Sequence, residues 1–314
     1  MALFDSKPKA EAAEVAFLKM GIYGDPGTGK THTASLIASG LALHIAKVTG
    51  QPPPKVMFLD TETGAVWVRP IFEKSGIEFV SEATRSFSDL KDAIPIATKA
   101  GAILLVDSMT HFWEDIREGY IAAKRQRLRR DNVGLEIQDW GIIKPMWAKF
   151  TNLFLNSPCH VILCGRAGSI YEFQERESDG KKEMITAGTR MAAEKGMGYE
   201  PSVLVEMSQR QETDRSKTKS ITRIATVLKD RSTILDGKVF EDPKFSDFMP
   251  HIHRLKIGGA HAGFDESRNS QHLFPSDNDG RDNRPVQRKI ALGDIQDLLV
   301  SHFPGQTAAE QQKK

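Results

Sequence analysis

The sequence predicts an α/β protein: a mainly parallel sheet with helices on both faces, plus a β-hairpin and a small C-terminal helical appendage. Three observations predict it. Short apolar runs alternate with segments of helical period over residues 15–165. Most of those runs are apolar at nearly every position, as strands covered on both faces must be. The first of them ends in a glycine-rich turn that opens a helix.

The elements follow in order. Val15 to Tyr23 (VAFLKMGIY) reads as a buried first strand. Lys30 to Val48 is helical, with Leu36, Ile37, Leu41 and Ile45 on one face, and Gln51–Pro54 (QPPP) ends it. Val56 to Leu59 is a second strand that ends in Asp60, and Ile77 to Val80 is a third. Phe87 to Thr98 is a helix with Pro95 inside it. Ala102 to Val106 (AILLV) is a fully apolar strand ending in Asp107, and Met109 to Arg130 is a helix that turns strongly basic. Trp140, Ile143, Trp147, Phe150 and Phe154 recur every three or four residues, so one helical face carries them into the core, with Pro145 as a kink or a start. His160 to Cys164 is another apolar strand. Tyr171 to Ile185 alternates around Ser178-Asp179-Gly180, a hairpin signal. Val203 to Glu206 and Ile221 to Leu228 are later strands.

Composition bounds the domains. A chain of 314 residues holds one large domain, or one plus an appendage. Residues 1–14 form a polar lead-in, 15–250 the core, and 251–314 a linker, a short amphipathic helix (Ile295, Leu298, Leu299, Phe303) and a disordered Gln/Lys tail. A net charge of +2 argues neither for nor against nucleic acid, so the distribution of charge has to decide. Cys159 and Cys164 are not spaced for zinc or for a disulfide framework and read as buried thiols. His251, His253 and His261 lie in a loop-like setting and read as solvated rather than metal-bound. With no apolar run of about 18 residues and no signal-like start, a cytoplasmic protein away from membranes is expected.

The residues Gly24-Asp25-Pro26-Gly27-Thr28-Gly29-Lys30-Thr31 fit GxxxxGK[ST] at every required position, and His32 continues the site into the helix. Glycines let the backbone take positive φ and wrap closely around a phosphate. The exposed N–H groups and the helix N-terminus favour negative charge there. A nucleoside triphosphate, expected to be ATP with Mg²⁺, is the ligand this loop fits. Lys30 is placed for the β- and γ-phosphates and the Thr31 hydroxyl for the metal. Asp107, ending an apolar strand, is the second metal residue. Ser108 follows it, so a hydrolytic base has to come from elsewhere. Glu62, in Asp60-Thr61-Glu62-Thr63-Gly64 at the end of the strand after the P-loop helix, is the candidate.

A P-loop, a strand ending Asp-x-Glu and a strand ending Asp-Ser together resemble the RecA-like recombinase core. The motifs FLDTETG (58–64), LLVDSMTHFW (104–113), DWG (139–141) and NSPCHVILCGRA (156–167) are similar to the phage-encoded RecA-like ATPases, the phage AAA-domain or Sak-type single-strand annealing group. The resemblance covers about residues 15–235. It implies a Mg-dependent ATPase acting on single-stranded DNA, in the host cytoplasm if phage-encoded, with Glu62 as the catalytic carboxylate. It further implies two DNA-binding loops. The first, near 117–139, holds Arg117, Lys124, Arg125, Arg127, Arg129 and Arg130, which are either phosphate contacts or a solvated helix face. The second, near 167–198, offers Tyr171 and Phe173 for stacking and Lys181, Lys182 and Arg190 for phosphates, or is an ordinary exposed hairpin. Lys229 and Arg231, in Lys229-Asp230-Arg231, match the Lys-x-Arg that reaches the γ-phosphate of a neighbouring subunit in such rings and filaments, which implies a homo-oligomer. The family carries an amide at the strand end before the second loop, where this chain has Arg166, a γ-phosphate sensor or a DNA contact.

The same core serves two other readings. One is a ring-shaped DNA motor, a helicase or packaging ATPase. The other is a nucleotide-switched module with little turnover, engaging a protein partner through the C-terminal helix. A small-molecule P-loop kinase is weaker, since no separate Arg-rich lid is evident.

Overall fold

Lys19–Gly24 (β1) is buried along its whole length and delivers the chain into the glycine-rich turn. The computed structural model describes residues 16–175, 182–213, 219–259 and 261. The helix expected around Ile295 lies outside them, as do Lys181 and the hairpin tip at Ser178-Asp179-Gly180. The chain divides into two compact units, Met1–Gly263 and Phe264–Lys314, and every described residue belongs to the first.

After β1 come Lys30–Thr49 (α1), Val56–Asp60 (β2), Ala65–Lys74 (α2), Phe79–Ala83 (β3), Phe87–Lys99 (α3) and Ile103–Asp107 (β4). Met109–Leu128 (α4) and Trp140–Asn156 (α5) follow. The remainder is mostly strand: His160–Glu175 (β5), Lys182–Met191 (β6), Val203–Thr213 (β7), Lys219–Asp230 (β8) and Val239–Glu241 (β9), before Phe245–Ile252 (α6). The sheet order is β3-β2-β4-β5-β1-β7-β8-β9, with β6 paired to the outer part of β5. From β3 to β7 all neighbours are parallel, and β8 and β9 complete the sheet antiparallel.

Strand residues alternate between two apolar layers. Met20, Ile22, Phe58, Leu105 and Ile162 pack under α1, α2 and α6. Tyr23, Leu59, Leu104, Val106 and Leu163 pack under α3, α4 and α5. The expected aromatic face is present: Ile143, Trp147, Phe150 and Phe154 of α5 are buried in the second layer. Both layers are needed because the strands are apolar on both sides, which is why this composition gives a mixed α/β, mostly parallel architecture. Cys159 and Cys164 are buried and free.

Some boundaries differ from the sequence reading. The third strand begins at Phe79 rather than Ile77, because it is an edge strand that buries only Phe79. The sequence pattern does not predict helices α2 and α6. Each carries an internal proline, Pro70 or Pro250, which argues against a helix locally, yet each buries a short apolar face against the sheet. Pro95 and Pro145 likewise sit inside α3 and α5. No described helix is long and apolar enough to cross a membrane.

The register places the strand ends that matter along one edge. Asp60 is level with Asp107, Asp107 with Cys164, and Gly24 with both Arg166 and Met207.

Candidate functional site

The turn from β1 into α1 takes a shape only glycine tolerates easily. Gly27 and Gly29 have φ of 78° and 88°. A Cβ on Gly24 would sit 2.1 Å from the Met207 carbonyl oxygen, so the loop can leave β1 only where no side chain exists. Thr28 closes the turn by donating to the Asp25 carbonyl at 2.8 Å, and the Lys30 ammonium reaches back to the same oxygen at 2.9 Å.

At the start of α1, the Thr31 hydroxyl donates to Oδ2 of Asp107 at 2.5 Å. Asp107 is only 4% exposed, and that burial pushes its carboxyl up to about 6 despite the Thr31 bond. A buried, barely solvated carboxylate beside a hydroxyl is a donor pair suited to a divalent cation. The peptide bond after Asp107 is cis.

The Glu62 loop is built by Asp60. Its Oδ1 accepts from the Glu62 and Gly64 amides at 2.9 and 3.1 Å, and its Oδ2 from Ala65 at 2.8 Å. One carboxylate thus folds the loop and caps α2. Thr61 ties the loop to β4: its amide donates to the Asp107 carbonyl at 2.7 Å, and its hydroxyl accepts from the Ser108 amide at 2.8 Å. The same hydroxyl hydrogen-bonds Nδ1 of His111 at 2.6 Å. Burial, then the nearby Arg166 and Arg85, lower the His111 pKa and keep the ring neutral. Arg85 holds the Thr61 carbonyl from the other side at 3.1 Å.

Glu62 itself faces the site half-exposed. Its Oε1 lies 3.0 and 2.9 Å from Nε and Nη2 of Arg166, and 3.4 Å from the Ser108 hydroxyl. The structure therefore brings Lys30, Thr31, Asp107, Glu62 and Arg166 to one sheet edge, although Glu62 and Arg166 are 104 residues apart. Asp25, Pro26 and Gly27 stand exposed at the tip of the loop, and His32, the third residue of α1, is exposed as well.

The residues named for DNA divide. Arg125, Arg127, Arg129 and Arg130 are exposed at the end of α4. Lys124 is not among them: it is buried, donating to Asp139 at 2.8 Å, with Glu136 at 3.3 Å. The reading of Lys124 as a DNA contact is corrected. Helical spacing turns it away from its neighbours, toward a carboxylate in the DWG segment that binds it in place. The Asp139 bond raises the Lys124 pKa, and the Lys124 ammonium holds Asp139 down to about 2. On the β5–β6 hairpin Tyr171 and Phe173 are 59% and 75% exposed, and Lys182 and Arg190 are also exposed.

Lys229 and Arg231 do not join the site within one chain. β8 runs antiparallel to β7, so its end, where Asp230 pairs with Val203, lies at the opposite sheet edge from the P-loop. There Lys229 and Arg231 donate to the Tyr199 carbonyl at 2.5 and 3.1 Å. The reading of solvated histidines is corrected for His251 and, in part, for His261, while His253 is exposed as expected. His251 is 4% exposed, with Nδ1 2.7 Å from Asp230. His261 meets the Leu155 carbonyl at 2.8 Å, and His253 packs its ring against His44. His251 is buried because it lies on α6, which loop-like composition does not reveal.

Compared with known protein families, residues 16–234 match the AAA domain, more than half of the chain. The chain belongs to the AAA domain family. No curated protein matches it. Membership brings nucleotide-binding, ATPase-type activity to this AAA domain, and the loop geometry fits a polyphosphate on its own account, with Gly27 and Gly29 at positive φ and a hydroxyl–carboxylate pair beside them. Sequence reasoning missed Thr61, Arg85 and His111, the residues that brace the AAA domain's Glu62 loop. Thr61 and His111 lie inside recognisable motifs, but only their spatial contact gives them a role.

Proposed function

We propose that the AAA domain is a RecA-like, Mg²⁺-dependent ATPase that acts on single-stranded DNA in phage-type recombination or annealing. The observation that carries this reading is the course of β5. The strand pairs with the P-loop strand, presents Arg166 to Glu62, and continues without a break into the hairpin bearing exposed Tyr171 and Phe173.

In this reading the P-loop amides and Lys30 hold the phosphates, and Thr31 and Asp107 hold the metal. Bound Mg²⁺ supplies neutralisation of the phosphate oxygens. Glu62 accepts the proton of the attacking water. Arg166 competes for Glu62: while it holds Oε1, that oxygen is not free to receive a proton from water. Bases stacked on Tyr171 and Phe173 would shift the start of the hairpin, and Arg166 with it, releasing Glu62 toward its water. The exposed arginines at the end of α4 supply phosphate contacts, and α4 begins immediately after the Asp107–Ser108 pair. Lys229 and Arg231, at the sheet edge remote from their own P-loop, act on a neighbouring subunit's nucleotide. The site is then complete only in a homo-oligomer.

The test is ATP turnover with and without single-stranded DNA at low salt, with molecular size measured in the same samples. Turnover rising at least tenfold with DNA, in an oligomer, is expected. Turnover indifferent to single-stranded DNA would remove the DNA reading, and strand displacement of a duplex would favour a ring motor instead.

A further inference from the structure

The reading above leaves one cation at the P-loop without a task. Arg223 lies on β8 directly across from Gln209 on β7, so the two side chains share a face of the hairpin. Both strands run past the end of β1, since Met207 is already level with Gly24. Gln209 and Arg223 therefore overhang the loop. The atom nearest a Cβ on Gly27 would be Oε1 of Gln209, at 3.9 Å. A Cβ on Gly29 would lie 2.4 Å from Cδ of Arg223 and 2.6 Å from its Nε. Gly29 is thus both a left-handed helix cap and the space that the arginine occupies.

The Arg223 Nε is buried and has no hydrogen-bond partner among the described residues. Asp242, the nearby carboxylate, is engaged with the backbone amide of Arg223, at 3.1 Å. A buried guanidinium nitrogen left without a partner is costly unless a ligand supplies one. Arg223 also lowers the pKa of His32, after burial, which places its charge beside the first turn of α1.

Sheet order says which end of a nucleotide it meets. Glu62, Asp107 and Arg166 come from β2, β4 and β5, all on one side of β1. β7 and β8 lie on the other side. A triphosphate whose γ end sits between Thr31, Asp107 and Glu62 extends its nucleoside end toward β7 and β8.

We infer that Arg223 is a nucleotide ligand acting from within the same chain, bound to the α-phosphate, with Gln209 beside it on the nucleoside side. This rests on the ATPase reading and deepens it. It assigns Arg223 to binding and not to γ-phosphate chemistry, so diphosphate and triphosphate should feel its loss equally.

Calorimetric affinities of ADP and of the β,γ-imido analogue of ATP test it, with turnover at saturating ATP. Arg223→Ala should weaken both nucleotides about 10- to 100-fold, the loss expected for a charge-assisted hydrogen bond, with the KM for ATP rising in step. Arg223→Lys should weaken both less, because an ammonium keeps the charge but not the fork. If Arg223→Ala does not fold, Arg223→Lys and Gln209→Ala carry the test. Unchanged ADP affinity in the folded variants overturns the inference. So does a loss confined to the triphosphate with a matching fall in kcat, which would place Arg223 at the γ end. A wild-type chain that binds neither nucleotide overturns the ATPase reading itself, and this one with it.

Discussion

Oε1 of Glu62 is held by two nitrogens of Arg166, at 3.0 and 2.9 Å, from a strand that also flanks the P-loop. An arginine so placed occupies the carboxylate oxygen that a hydrolytic water would need, and a movement of β5 that withdraws Arg166 would free it. Glu62→Gln should lower kcat by about 100- to 10,000-fold, the range of a lost general base, with ADP affinity within about threefold of wild type. Arg166→Ala should abolish the difference between turnover with and without single-stranded DNA. Steady-state ATPase assays on both variants check this, and persistent stimulation in Arg166→Ala would disprove the coupling.

Thr61 satisfies two buried neighbours with one hydroxyl, accepting from the Ser108 amide and sharing a hydrogen bond with Nδ1 of His111. Thr61→Val keeps the shape and strands both. A destabilisation of about 2 kcal/mol is expected, within the range for unsatisfied buried polar groups, together with a fall in kcat as the Glu62 loop loosens. Thr61→Ser should recover most of the stability. Urea denaturation of the three proteins measures it.

Lys124 and its arginine neighbours should separate cleanly. Lys124→Ala removes the cationic partner of the buried Asp139, leaving it the Tyr120 hydroxyl and the Glu136 amide, and should lower Tm by at least a few degrees. Replacing Arg125, Arg127, Arg129 and Arg130 together by Gln should leave Tm nearly unchanged. It should also reduce the salt slope of single-strand binding, by roughly 0.7 for each phosphate no longer neutralised. A quadruple variant with an unaltered salt slope would show that the end of α4 is a solvated face.

Lys19 gives the chain a pH dependence remote from the site. Its ammonium donates to the Ser157 carbonyl and hydroxyl and to the Cys159 carbonyl, at 2.9, 2.7 and 2.8 Å. Burial nevertheless pulls its pKa from 10.5 to about 7. Between those values the unfolded chain holds more protons than the folded one, so stability rises with pH across the window. The slope is at most about 1.4 kcal/mol per pH unit. Lys19→Met should be less stable overall, because its carbonyl partners lose a donor, and should lose that slope. Denaturant midpoints at pH 7 and pH 9 in both proteins provide the comparison.

The P-loop was legible because every part of it is local: glycines that take positive φ, a lysine and a threonine, all within one turn between a strand and a helix. Asp107 and Glu62 were legible as strand-end acids for a related reason, since a parallel sheet aligns its strand ends along one edge. The pairing of Glu62 with Arg166 was not legible, nor was Arg223 against Gly29, nor Gln209 beside it. Those contacts depend on strand order and register, which join residues far apart in the chain. Lys124 and His251 show the same limit from the other side. Composition marked one as part of a basic surface and the other as a loop histidine, and the fold buried each against a carboxylate. Sequence by itself determined the alternating elements and the phosphate-binding turn, because backbone geometry and burial period are written residue by residue. The tertiary structure alone decided which charges meet, because an electrostatic partner is chosen by distance in space and by exclusion of water.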